Sequence, residues 1–278
     1  MKILNWKLFL EELVGSENPI SNYDDYVEGM QKSIEDKLFF INNINFDVIV
    51  DFGCANGIFL SKIKQLRPNV KLIGYDLDDN MLDKAHETLG SNVLLTSNWN
   101  DVVLEVAKYK NPLLNLSSVI HEVYSYSHSS IIKKFWEKQV FGNNFKFITI
   151  RDIIPSVEIH KDEIIKYKED IQKVRKTVDP FYLNSFEIRW GVIDDIYRTF
   201  VHFLLKYKYI DNWNREVNEN YLPVSLETVK KKIPSSYSIV YEKDFIVPFI
   251  EDQIMKDFGI KITHSTHTKL ILKNNSFK

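Results

Sequence analysis

The chain is poor in cysteine. Of its 278 residues only Cys54 is one, so no internal disulfide is possible, as in proteins of a reducing compartment. It is also poor in net charge. Its 36 Lys and Arg against 38 Asp and Glu leave a formal charge of −2, which gives no global attraction to nucleic acid or to an anionic membrane and leaves only a local patch open. No apolar run approaches the ~20 residues that span a bilayer. The first residues, Met1-Lys2-Ile3-Leu4-Asn5-Trp6-Lys7, lack the apolar stretch and cleavage site of a signal peptide. A cytoplasmic location without membrane contact is the expectation. Internal repeats and low-complexity tracts are absent. His264 and His267 lack a partner cysteine or H-E-x-x-H spacing, so no metal site is expected. What the chain does have is 44% hydrophobic residues, enough for a sizeable core in one large domain or a domain with an elaborated insertion.

The apolar run Val48-Ile49-Val50 is followed by Asp51-Phe52-Gly53-Cys54-Ala55-Asn56-Gly57 and then by a helical pattern, Ile58, Phe59, Leu60, Ile63. This is a strand ending in a tight small-residue turn that opens a helix. A second apolar run, Leu72-Ile73-Gly74-Tyr75, ends in Asp76. Small residues let backbone approach a ligand closely, and an acid at the next strand end can accept from ribose hydroxyls. Together they form the two halves of a nucleoside-cofactor site. The dinucleotide fingerprint G-x-G-x-x-G does not fit, because Ile58 stands where its last glycine belongs.

The D-x-G-x-A-x-G pattern resembles motif I of the class I S-adenosylmethionine (SAM) methyltransferases, with Ala55 in place of the usual middle glycine. The tract Gly74-Tyr75-Asp76-Leu77-Asp78-Asp79-Asn80-Met81-Leu82 resembles that family's next motif. The resemblance implies SAM as cofactor and Asp51, Gly53, Cys54, Ala55, Gly57, Asp76 and Leu77 as its neighbours. After the third strand the family places a polar and an apolar residue against the adenine; Asn98 and Trp99 fit, as does an ordinary loop with a helix cap at Asn100. Cys54 itself reads as a small residue tolerated in the turn rather than a nucleophile.

Strands are expected at about 46–51, 71–76, 93–96, 113–117 and 145–150, with helices at about 57–66, 79–89, 101–108 and 128–139. Such alternation predicts right-handed crossovers and a parallel sheet. Helical patterns alone follow to about residue 221, including 158–176 and 194–209. A helix at 225–232 and strands at 237–247 and 267–273 close the chain. The last two strands resemble strands 6 and 7 of the family's sheet, the final one antiparallel. The expected fold is therefore α/β: a Rossmann-like, seven-stranded, mostly parallel sheet with helices on both faces. The division is a helical lid over 1–44 (helices at 4–14 and 23–40), a SAM-binding core over 45–155 and 222–278, and a helical insertion or substrate cap over 156–221.

In open α/β sheets ligands lie across the carboxyl ends of the strands. Asn115, on the fourth strand, is a further cofactor contact that the resemblance implies, and the tract Ser117-Ser118-Val119-Ile120-His121-Glu122 leaves that strand there. The tract resembles the strand-4 exit of many small-molecule methyltransferases, where a His often follows the strand. His121 can take a proton from an acceptor hydroxyl or amine, and Glu122 can orient it or act itself; a packing His with an exposed Glu is the alternative. Arg151-Asp152 after the fifth strand can close an ion pair or reach substrate. Aromatics interleaved with Arg in the insertion, Trp190 and Arg198 among them, can enclose a flat metabolite, stack on bases, or simply build a small core. Tyr23 and Tyr26 are candidate lid contacts. Asn111-Pro112-Leu113-Leu114 is not the tetrapeptide of amino-methylating DNA enzymes, and no Pro-Cys nucleophile exists for cytosine-C5 chemistry. The expected activity is methyl transfer to an O or N acceptor, most simply a small molecule. The alternatives are RNA or protein methylation with the aromatic insertion as docking face, and a SAM-binding module without catalysis.

Overall fold

The computed structural model describes residues 33–277. Tyr23, Tyr26, the expected 4–14 helix and the first part of the 23–40 helix lie outside the described residues. Described elements are numbered along the chain, starting with the short helix α1 (Ile34–Lys37). An alternating series follows: β1 (Val48–Phe52), α2 (Ile58–Leu66), β2 (Lys71–Tyr75), α3 (Asp79–Leu89), β3 (Leu94–Thr96), α4 (Trp99–Val106), β4 (Pro112–Ser117), α5 (Ile120–Tyr126), α6 (Ser129–Lys134) and β5 (Phe147–Asp152).

β1 is V-I-V-D-F, buried at every position, as a parallel strand covered on both faces must be. α3 starts where the Asp78 side chain accepts from Asn80 N and stops at Gly90. α6 continues as a π-helical turn, Phe135–Val140, which buries both Phe135 and Trp136. α5 was not expected, because nothing in its own sequence caps it.

The sheet has seven strands in the order β3-β2-β1-β4-β5-β7-β6. β1 to β5 pair in parallel, and β7 (His267–Asn274) runs antiparallel between β5 and β6 (Tyr237–Phe245). This is the expected mostly parallel, Rossmann-like sheet. Its order reverses between β1 and β4, the place where open α/β sheets bind ligands. One face packs Val48, Val50, Ile73, Val102 and Phe135; the other packs Ile49, Leu60, Ile63, Leu72 and Phe40.

Between β5 and β6 the chain makes α7 (Lys168–Thr177), α8 (Pro180–Trp190), α9 (Tyr197–Tyr207), α10 (Trp213–Glu216) and α11 (Leu226–Lys230). α7 to α9 form a third apolar core around Phe186, Phe200 and Phe203. α12 (Pro248–Phe258), which lies in sequence between β6 and β7, puts Ile250, Ile254 and Phe258 into that same core. The helical subdomain thus draws on residues beyond 156–221. No described helix is long and apolar enough to cross a membrane.

Candidate active site

The site is built where β1, β2 and β4 end side by side. Asp51 pairs in register with Gly74 on β2 and Asn115 on β4, so the turn after β1 and the acid after β2 are neighbours. Gly53, Ala55 and Gly57 all have positive φ (75°, 46° and 77°). The turn needs small residues for two different reasons. A Cβ on Gly57 would lie 2.7 Å from Leu89 Cδ1 and 3.2 Å from Ala85 Cβ, so this glycine lets α2 and α3 pack closely. Gly53 is exposed, and a Cβ there would meet Val119 Cγ2 at 3.2 Å. The turn therefore touches the residue just before α5.

Asp76 closes the turn. Its Oδ2 accepts from Ala55 N at 2.8 Å and its Oδ1 from Asp78 N at 3.0 Å. Each carboxylate oxygen retains a second lone pair, so the carboxylate can still accept from two vicinal hydroxyls. Burial pushes its pKa up. A half-buried acid beside an exposed glycine turn fits the adenosyl and methionine ends of SAM, whose contribution there is an electrophilic methyl group on sulfonium. Leu77 is half-buried and packs on the sheet.

Several of the expected cofactor contacts also make structural bonds. Asn115, only 1% exposed, donates to Asp51 Oδ1 at 2.8 Å and accepts from Thr149 Oγ1 at 2.8 Å, linking β1, β4 and β5. Burial raises Asp51 to a pKa of about 7, opposed by the Asn115 bond and the nearby Lys37 charge. Cys54 is buried against Gly74, its amide is bonded to Tyr75 O, and burial raises its thiol pKa strongly; it is no nucleophile. Asn98, not Asn100, caps α4 by accepting from Asn100 N. The Trp99 ring packs 5.1 Å from Tyr75 and 5.4 Å from Phe52, and its Nε1 has no partner among the described residues.

A second cluster stands at the end of β4. Asp152, fully buried at the end of β5, accepts from Val119 N, Ile120 N, Ile153 N and His121 Nδ1 at 2.6–2.8 Å. One carboxylate thereby caps α5 and fixes the imidazole. Ser118 takes φ +58° to bring those amides round. His121 Nε2 then faces Glu219 Oε2 at 3.7 Å. Arg215 reaches Glu219 Oε1 at 3.0 Å and Glu122 Oε1 at 2.9 Å. Burial works against a charged imidazole, but Asp152 beside it, helped by Glu219, raises His121 to about 9. Burial raises Glu122 to about 7 against the pull of Arg215. The donor atoms of His121, Glu122 and Glu219 lie within 4.8 Å of one another, a set of metal-ligating type, and the Arg215 guanidinium already supplies counter-charge between the two carboxylates.

Sequence reasoning did not single out Glu219 or give Asp152 and Arg215 these roles; only proximity in the fold reveals them. Arg151, in contrast, turns away from a substrate role. It donates to Asp36 at 2.9 Å and to Ser118 Oγ at 3.2 Å, and Lys269 also pairs with Asp36, so Arg151 seats α1 on the sheet. Trp190 donates to Val217 O and Arg198 to Leu222 O; both brace the helical subdomain. A separate cavity of about 340 Å³, lined by Val106, Tyr109, Pro112 and Phe145, opens at the opposite ends of the strands.

No family model matches the chain. Over 92 residues it is 36% identical to malonyl-[acyl-carrier protein] O-methyltransferase 1 of Ilyobacter polytropus, a match covering 32% of this chain and 32% of that one; the chain thus spans about a third of this curated relative's length. Among solved structures, the plantazolicin methyltransferase BpumL in complex with a triazolic desmethylPZN analog and SAH aligns with a TM-score of 0.51 at 11% identity, covering 97% of this chain and 95% of that one. The plantazolicin methyltransferase BamL, also in complex with a triazolic analog and SAH, aligns at 0.49 and 12% identity over 97% and 96%. With its sheet order and its turn after β1, the chain has the fold of the class I SAM-dependent methyltransferases.

Proposed function

We propose that this chain is a SAM-dependent methyltransferase acting on an O or N acceptor of small size. The observation that carries the reading is the 2.8 Å bond between Asp76 Oδ2 and Ala55 N, which joins the ribose-type acid to the glycine-lined turn at the switch point of the sheet. In this reading Asp76 holds the ribose hydroxyls and the exposed backbone at Gly53 meets the amino-acid end. Asn98 and Trp99 flank the base, Asn98 through the part of its side chain that the helix cap leaves free. Asp51 orients the turn from below. His121 and Glu122, on the α5 turn that Gly53 touches through Val119, line the acceptor side.

The relative and the neighbours are named as methyltransferases, two of them with SAH bound, which supports this reading over another nucleotide. The protein's task is to align the acceptor with the methyl–sulfur bond and to exclude water. The experiment is calorimetry of SAM with the wild-type chain and with Asp76→Ala. The variant loses two charge-assisted bonds to ribose, each worth about 1.5–3 kcal/mol, and so binds SAM at least a hundredfold more weakly with its circular dichroism unchanged. Equal affinity of the two proteins refutes the ribose assignment. Labelled SAM with fractionated extract then tells metabolite from RNA and protein as acceptor; a protein that binds SAM and transfers no label to any fraction is the non-catalytic module.

A further inference from the structure

We propose that Glu219, supplied by the segment after α10, is the group that accepts the acceptor's proton, while His121 acts as a fixed imidazolium beside it. The proposal rests on the methyltransferase reading above. Glu219 is 2% exposed, and its two oxygens differ. Oε1 is engaged by Arg215 at 3.0 Å and by the Tyr126 hydroxyl at 3.3 Å. Oε2 takes no hydrogen bond from any described residue and faces His121 Nε2 across 3.7 Å, beyond hydrogen-bond range. An acceptor hydroxyl oxygen set to one side of that gap comes within about 3 Å of both atoms at once. Glu219 Oε2 thus stands open opposite the imidazole.

The surroundings of His121 set its charge. Asp152 on β5 holds Nδ1; Glu219, Arg215 and the Tyr221 ring face it from the insertion; Glu122 lies on its own helix and His267 on β7. The His121 ring stands between two buried carboxylates, and its raised pKa agrees with a proton on each nitrogen. An imidazolium has no lone pair with which to act as base.

The position of Glu219 is itself fixed. The Lys206 ammonium, fully buried over the Tyr221 ring, donates to the carbonyls of Glu216 and Glu219. Asn220 N donates to Ser125 Oγ at 2.7 Å, and that hydroxyl donates to His121 O at 2.7 Å. The insertion is thus tied to α5 next to the gap. In the step, one lone pair of an acceptor hydroxyl oxygen forms the bond to the methyl carbon while its other lone pair accepts from His121 Nε2. The carbon–sulfur pair stays on sulfur, and the acceptor's proton passes to Glu219 Oε2 and then to solvent. The imidazolium, donating from Nε2, holds the acceptor in place.

Nitrogen-15 NMR of histidine-labelled, ligand-free wild-type protein tests this without any substrate. The expected result is that both His121 nitrogens carry protons at pH 7, and that Glu219→Gln lowers its titration by about 1 unit or more. A His121 with a bare Nε2 at pH 7, or one whose titration ignores Glu219→Gln, overturns the proposal. With labelled SAM and an extract fraction that accepts label from the wild type, Glu219→Gln lowers turnover about 100-fold or more, and Glu219→Asp recovers part of it. SAM affinity stays within threefold in both. Turnover of Glu219→Gln at the wild-type rate overturns the proposal. Wild-type protein that transfers no label refutes the methyltransferase reading instead and leaves the NMR arm to decide the charge of His121.

Discussion

Asp152→Asn removes the charge that organises the acceptor side. The carboxylate takes three backbone amides and His121 Nδ1, all buried. An asparagine of the same shape presents an NH2 group to at least one of these donors and leaves the imidazolium without its main counter-ion. Breaking a buried pair by removing one member costs about 3–5 kcal/mol. The titration of His121 gives an independent figure. Its pKa rises from 6.5 to about 9, which corresponds to about 3 kcal/mol of stability at neutral pH. For a group raised on folding, that stability is fully present below 6.5 and is lost as pH climbs through 9. Asp152 is lowered: burial opposes its charge, but His121 and the amides outweigh it, so its share is present above the ordinary carboxylate range and lost in acid. Urea melts of wild type and variant at pH 7 are therefore expected to differ by about 3–5 kcal/mol. The melting temperature falls by roughly 10 °C. At pH 10 the gap narrows to about 2 kcal/mol or less, since the wild type has lost its charged pair and the variant had none. A gap below 1 kcal/mol at pH 7, or one equally large at pH 10, shows that Asp152 and His121 are not joined as an ion pair.

Two further substitutions probe the turn. Gly57→Ala forces a side chain into positive φ and against Leu89 and Ala85; strain of about 1 kcal/mol and overpacking of about 1–3 kcal/mol predict a loss of 2 kcal/mol or more in urea denaturation, and a neutral result shows that α2 and α3 do not approach as described. Ala55→Gly relieves a non-glycine residue at φ 46° while loosening the unfolded chain by a similar amount. Stability within about 1 kcal/mol of wild type and unchanged SAM affinity by calorimetry are expected; a large loss of either means that the Ala55 methyl has a packing role of its own.

The cofactor half of the site was legible because it is local. A parallel strand buried on both faces reads as an unbroken apolar run, so Val48-Ile49-Val50 and Leu72-Ile73 announced themselves. The tight turn and the closing acid sit at their ends for reasons of backbone geometry that leave a mark on residue type. Some of the candidate side chains also carry a structural task from the same position. Asn115 sits in register with Asp51 and Thr149, so it bonds sideways along the sheet and not outward. Asn98 precedes α4 by one residue and caps it by accepting from Asn100 N, which leaves the rest of its side chain free.

The acceptor half was illegible for the opposite reason. α5 has no cap in its own sequence, because Asp152, some 32 residues on, provides it. Arg215 meets Glu122 across 93 residues. Among 38 acidic residues nothing local distinguishes Glu219 from its neighbour Glu216, whose carboxylate is taken by the Tyr221 hydroxyl. Even the two adjacent residues Asp36 and Lys37 part company. Asp36 pairs with Arg151 and Lys269. The Lys37 ammonium feels Asp51 on the cofactor side and Asp152 and Glu122 on the acceptor side, and burial with Arg151 nearby lowers its pKa to about 8. One short helix in this way brings a cation into the field of both halves of the site, and the seating of that helix by Arg151 and Lys269 gives the basic residue at the end of β5 a scaffold role.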